Sequence, residues 1–307
     1  MKEEFTVTFW GVRGSYPVPG KNTLHYGGST TCIDVTIGKV IIIIDAGTGI
    51  VNLGNTLAAN YFKEGGKGAL NLTVLFTHLH HDHTQGLPFF TPLYLGPSKL
   101  YLFGPLDFGE ELRTVLEQSM TPPNFPVDIR SANSIKLYET IGENHLILYQ
   151  LPDLKPNMIN KFHDTYKITD STVVVKVMKD FSHPSNGVFV YRVEYSGKAI
   201  VFATDVEGYL FGNSKLISFS ENADLLIHDA QYTREQYTAL PTPRQGFGHS
   251  IPDMAIEVAK KAGVKTLVMT HHDPTATDTQ LKRNQTKYKR RFSNLFYARE
   301  GLSFHIS

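Results

Sequence analysis

Six short apolar runs in this chain each end on a histidine or an aspartate, and that pattern narrows the folds open to it. KVIIII runs into Asp45, LTVLFT into His78, VVVKVMKDFS into His183, KAIVFAT into Asp205, ADLLIH into Asp229 and VKTLVMT into His271. The β-branched and aromatic content reads as strand, and the near-continuous apolar character means both faces of each strand are covered. In α/β proteins, ligands collect beyond the carboxyl ends of strands. Six ends carrying imidazole or carboxylate are therefore expected to converge on one site.

Helices are expected between the strands. The clearest lies near 252–262. Ser250 is an N-cap candidate, Pro252 suits the first turn and Gly263 the C-terminal stop, while Ala255, Val258, Ala259 and Ala262 make one apolar face. Residues 107–118 are a second candidate. The stretch 121–170 holds PP, FP, LP and KP dipeptides and many Asn and Asp. It reads as a lid or insertion within a single domain spanning 1–307. Lys282, Arg283, Lys287, Lys289, Arg290 and Arg291 crowd into ten positions and read as a solvated helix face. GVRGS, with Arg13 inside it, reads as a tight turn, because it lacks the spacing and following helix of a phosphate loop.

The formal net charge of +1 gives no global field favouring nucleic acid or membrane. No apolar run approaches the roughly 20 residues of a spanning helix. The start, MKEEFTVTFW, is acidic and enters a strand-like pattern at once, so no signal peptide is expected and the location expected is cytoplasmic. The single cysteine, Cys32, excludes an internal disulfide framework and fits a reducing compartment. Any metal site must then be built from His and Asp.

Residues 77–83, THLHHDH, put four of the thirteen histidines within six positions around one aspartate. Protonated together they would repel, and buried neutral each would need a partner. A bound cation resolves both problems. His78 and His80 flank Leu79 and can face one way, while Asp82 and His83 follow in the turn and can face a second point. One loop can thus serve two metals, with His183, Asp205 and His271 completing the sets from downstream strand ends. Imidazole and carboxylate without thiolate suit Zn²⁺ first, with Mn²⁺ or Fe²⁺ as alternatives.

The H-x-H-x-D-H pattern of His78, His80, Asp82 and His83 resembles the signature of the metallo-β-lactamase superfamily. FWGVRGSYPVPG, YGGSTTC, IIIIDAGTGI, FSHP, FATD, LLIHDAQY, GHSIPDMA and LVMTHHDP follow in that family's order. The last blocks are similar to the branch holding ribonuclease Z and related cyclic-nucleotide phosphodiesterases. The resemblance implies an α/β, four-layer αββα metallo-β-lactamase sandwich and two divalent metal ions. His78, His80 and His183 would hold one metal. Asp82, His83 and His271 would hold the other. Asp205 would bridge, and Asp45 would orient a ligand histidine. His249 would be the proton donor to the leaving oxygen, with Asp229 supporting it. The remaining histidines, His81 and His272 included, carry no role.

Two such metals about 3.5–4 Å apart suit phosphodiester hydrolysis, and Asp82 can orient or deprotonate the water. The expected substrate is a small phosphodiester such as a 3′,5′-cyclic nucleotide. Neutral net charge and the absence of a basic arm at 121–170 make nucleic acid and membrane unexpected partners. A homodimer is expected from the resemblance alone. The alternatives are a ribonuclease Z-like endonuclease of tRNA 3′ ends and a metal-bearing nucleotide sensor without turnover.

Overall fold

The computed structural model describes residues 2–209 and 211–307. Two mixed sheets form its centre. One runs β15 (Ser303–His305), β1 (Phe5–Gly11), β2 (Cys32–Ile37), β3 (Val40–Ile44), β4 (Leu70–Leu75), β5 (Ser98–Gly104) and β6 (Ile135–Thr140). The other runs β14 (Leu295–Tyr297), β13 (Thr266–Thr270), β12 (Leu225–Asp229), β11 (Lys198–Ala203), β10 (Val188–Tyr195), β9 (Thr172–Asp180), β7 (His145–Gln150) and β8 (Asn157–Asn160). β3 to β6 are parallel, and so are β11 to β14.

The period-two alternation of strands explains the continuous apolar runs. Ile42 and Ile44 of β3 enter one core with Ile200 and Phe202 of β11, between the sheets. Ile43 points the other way, into a core shared with Ile50 and Leu53 of helix α1 (Ile50–Lys63). Val201 and Ala203 likewise turn outward to meet Ala255, Val258 and Ala259 of helix α6 (Pro252–Lys261). Helix, sheet, sheet and helix therefore stack in four layers. The other helices are α2 (His81–Thr84), α3 (Leu112–Ser119), α4 (Ser214–Phe219), α5 (Arg234–Thr238) and α7 (Asp278–Lys289).

Two local expectations need correction. Ser250 does not cap α6, whose N-cap is Ile251. Its hydroxyl donates to the Val206 carbonyl at 2.7 Å and its amide to Asp229 at 3.0 Å, so it serves the strand ends instead. The helix expected at 107–118 starts only at Leu112. Residues 107–110 close a tight turn in which Asp107 and Glu110 exchange backbone hydrogen bonds, with Phe108 and Gly109 at positive φ. Within the lid or insertion expected at 121–170, three strands form. β6 extends the first sheet beside β5, and β7 with β8 extends the second beside β9. β6, IKLYET, is an edge strand with alternating exposure, so it lacks the continuous apolar run that marks the central strands.

Candidate metal centre

All six strand ends meet at one place. Thr77 and His78 follow β4, and His80 leads into α2, whose short turn carries Asp82 and His83. His183 follows β9, Asp205 follows β11, Asp229 ends β12 and His271 follows β13. Asp45, Asp205 and His271 have φ of 64°, 55° and 57°. The left-handed backbone turns these side chains back over the strand ends, at a cost that the surrounding contacts must offset.

Ligand atoms fall into two sets. In the first, His80 Nδ1 lies 2.9 Å from His78 Nε2 and 3.1 Å from His183 Nε2. In the second, His83 Nε2 is 3.3 Å and His271 Nε2 3.2 Å from Asp82 Oδ2. Asp205 touches both. Its Oδ1 is 3.9 Å from His78 Nε2 and from His183 Nε2, and its Oδ2 is 3.2 Å from His83 and 3.3 Å from His271.

Hydrogen bonds on the far side fix which ring nitrogens carry lone pairs. The Gly248 carbonyl can only accept, so His183 donates to it from Nδ1 at 3.2 Å. Thr77 Oγ1 gives its proton to Asp45 and accepts from His78 Nδ1 at 3.0 Å. His83 Nδ1 donates to Asp45 Oδ2 at 2.8 Å, while its buried Nε2 has no hydrogen-bond partner. Each Nε2 is thus the ring nitrogen left to face its set, and a buried nitrogen without a hydrogen-bond partner, as on His83, is a place for a cation.

Electrostatics point the same way. Burial, then the positive neighbour His83, push His78 well below its usual range, and burial likewise lowers His80 and His183. The first set is three neutral imidazoles. In the second, burial opposes charge on His83 and His271, but the carboxylates prevail. Asp82, Asp205 and Asp45 hold His83 well above its ordinary value, and mainly Asp205 with Asp82 pushes His271 up to about 9. Burial would raise Asp82 and Asp205, yet the same imidazoles hold both well below the carboxylate range. Protons here occupy the place a divalent cation would take, and its binding would release them. Nitrogen and oxygen donors without thiolate fit such a cation at both sets.

Beside them, His249 Nδ1 lies 2.9 Å from Asp229 Oδ2. Asp229 is fully buried and also accepts from the amides of Asp205, Gln231 and Ser250. The carboxylate that orients His249 is therefore tied to the backbone of Asp205.

Several contributors carried no signal in the sequence. The Ser15 amide donates to Asp82 Oδ2 at 2.8 Å. Gly14 lies flat against His271, where a Cβ would come within 2.3 Å of the ring. Buried Glu207 accepts from the amides of Gly246 and Gly248. Arg13 is fully buried and donates to the carbonyls of Gly27, Asp273 and Ala276, so its guanidinium is committed to backbone. GVRGS is not the tight turn expected: Gly11 ends β1, Arg13 bridges Thr30 and His272, and the chain bends only from Gly14. His272 is buried, donates to the Ala298 carbonyl at 2.8 Å and stacks on Tyr297.

The two sets open into a cleft of about 450 Å³, whose wall also includes Leu79, His81, Pro184, Phe247 and His249 and holds no Lys or Arg. Larger grooves, of about 670 Å³ along α5 and α6 and about 550 Å³ along α5 and α7, contain none of the ligand atoms, so volume alone does not locate the chemistry.

The family profile described as "Beta-lactamase superfamily domain" matches residues 41–272. The chain is 25% identical to a protein named Ribonuclease Z from Picrophilus torridus, over 100% of this chain and 97% of that one. It is 29% identical to the Ribonuclease Z of Sulfurisphaera tokodaii, over 75% and 78%. Among solved structures, the metallo-beta-lactamase fold protein YhfI from Bacillus subtilis aligns with a TM-score of 0.64 at 18% identity, covering 99% and 100% of the two chains. Human tRNase Z, short form, aligns with a TM-score of 0.61 at 21% identity, covering 98% and 99%. These likenesses share the layered fold described above, and the chain belongs to the beta-lactamase superfamily as a metal-dependent hydrolase of the metallo-β-lactamase fold.

Proposed function

We propose that this hydrolase is a binuclear phosphodiesterase acting on a small phosphodiester, with a 3′,5′-cyclic nucleotide as the type substrate. His78, His80 and His183 would hold one cation and Asp82, His83 and His271 the other, with Asp205 shared between them. Zn²⁺ suits these donors best, and Mn²⁺ or Fe²⁺ come next. Bound there, the cations would supply an activated water and neutralise charge on the phosphodiester.

The protein's own groups do the rest. Asp45 and Thr77 hold imidazole tautomers. Asp82, on the cleft wall, would orient the attacking water and accept its proton. His249 would deliver a proton from its cleft-side nitrogen to the departing alkoxide, while Asp229 fixes its Nδ1–H. The observation that carries this reading is the His249–Asp229 pair at 2.9 Å, standing beside the bridged sets. A leaving alkoxide needs such a donor, and the transfer is typically worth about 10²–10⁴ in rate. The absence of Lys and Arg from the cleft wall favours a small substrate over a long polyanion, whose affinity rests on phosphate contacts.

A second reading, RNA cleavage, is favoured by the relatives named Ribonuclease Z and the human structure named tRNase Z. It keeps nucleic acid open as a partner, against the expectation drawn from net charge. We take residues 1–307 as one domain and a homodimer as its working state. Among the described residues no helix is long and apolar enough to cross a membrane.

The test is a panel of 3′,5′-cyclic purine and pyrimidine nucleotides and a tRNA precursor with an unprocessed 3′ end. Metal-loaded wild type and the double variant Asp82→Asn, His83→Ala are compared, with products resolved by anion exchange. Linear monophosphates from wild type alone support the first reading. Cleaved tRNA with intact cyclic nucleotides would replace it with the second.

A further inference from the structure

Phe247 is half exposed (51%) where it lines the metal cleft, two residues before His249. It belongs to none of the hydrophobic clusters among the described residues, so core packing does not account for it. Its placement is nevertheless tightly built. On either side, the amides of Gly246 and Gly248 donate to the two carboxylate oxygens of Glu207, at 2.8 and 2.9 Å. Tyr237 Oη donates to the same carboxylate at 2.5 Å. Both glycines have left-handed φ, 81° and 84°, and a Cβ on Gly248 would collide with the His183 ring. The Arg244 guanidinium lies 5.9 Å from the Phe247 ring centre and 5.3 Å from that of Tyr232, and the Tyr232 ring meets His249 edge-on. A loop pinned at this many points holds a water-exposed ring beside the catalytic histidine, in a cleft whose other apolar wall residues are Leu79 and Pro184.

We infer that Phe247 is a stacking platform for the base of a nucleotide whose phosphate faces the two ligand sets. This rests on the phosphodiesterase reading and narrows its substrate class to base-bearing phosphodiesters. Every nucleobase presents a π-face, so an aromatic platform retains bases without reading their edges. The guanidinium beside the ring adds a favourable charge to the stack. A cleft of about 450 Å³ is in the range that takes a molecule of nucleotide size.

Calorimetry on the metal-loaded protein tests this without requiring turnover. The probes are adenosine 5′-monophosphate and inorganic phosphate, and the variants are Phe247→Ala and Phe247→Trp. Wild type should bind the nucleotide more tightly than phosphate. Phe247→Ala should weaken nucleotide binding about 5- to 150-fold and leave phosphate unchanged, whereas Phe247→Trp should retain it. Equal loss of both ligands, no loss of either, or no preference for the nucleotide in wild type would overturn the inference. Wild type that hydrolyses no phosphodiester, yet binds the nucleotide in a Phe247-dependent way, would remove the catalytic reading and leave the platform standing.

Discussion

Gly14→Ala should damage the metal centre without touching a ligand. An ideal Cβ at residue 14 falls 2.3 Å from His271 Cε1 and 2.4 Å from Nδ1. Ordinary carbon contacts begin near 3.4 Å, so the imidazole must retreat by about 1 Å. It has little room, because His83 and His249 stack on it at 5.5 and 5.0 Å with interplanar angles of 21° and 19°. Overpacking of this kind costs about 1–3 kcal/mol of stability. A displacement of about 1 Å at a reacting centre costs on the order of 10²-fold in rate. The assay is elemental analysis of bound metal after gel filtration, beside kcat/KM on a phosphodiester. Gly20→Ala, in the same loop with nothing within 4 Å of its Cβ, is the control and should behave as wild type. Gly14→Ala is expected to lose part of its metal and about 10²-fold in kcat/KM. Full metal content and a wild-type rate in that variant would show that the turn does not position His271.

The other predictions concern the surrounding groups. Asp45→Asn leaves the buried His83 Nδ1–H facing an amide, and should lower metal affinity about 10–100-fold in a chelator competition; unchanged affinity would remove its orienting role. His249→Gln should keep its metal and lose about 10²–10⁴ in kcat on an alkyl phosphodiester, but far less on a p-nitrophenyl ester, whose leaving group needs no proton. Equal losses on the two would deny His249 the role of acid. Burial pushes His272 down to about 3, below its ordinary 6.5. The folded state then keeps it neutral, so its contribution is full above pH 6.5 and is lost at about 1.4 kcal/mol per pH unit as pH falls toward 3. Urea titrations of metal-free protein at pH 7 and 5 should show about 2 kcal/mol of extra acid loss in wild type that His272→Gln lacks. An identical pH difference in both proteins would place the acid sensitivity elsewhere.

What the sequence made legible, and what it hid, divides along one physical line. Strands covered on both faces must be apolar at successive positions, so β3, β4, β11, β12 and β13 announce themselves, and a polar residue at the end of such a run stands out. Asp45, His78, Asp205, Asp229 and His271 were visible for that reason. The backbone that aims them was not. Left-handed φ at Asp45, Asp205 and His271 occurs at residues with side chains, where no glycine marks it. Groups that act through backbone atoms were equally silent. The Ser15 amide reaches Asp82 from 67 residues away, and two glycine amides reach Glu207 from 39 and 41 residues away. Any residue type supplies an amide, so only the fold reveals which ones are used. Edge strands are the opposite case. β6, IKLYET, alternates apolar and polar residues instead of running apolar, and the prolines around it made 121–170 read as a lid or insertion. The consequence is chemical as well as architectural. None of that stretch lines the metal cleft, whose wall is made by the strand-end loops. Of those, the loop clamped by Glu207 carries both the Phe247 ring and the proposed proton donor His249 on the cleft wall.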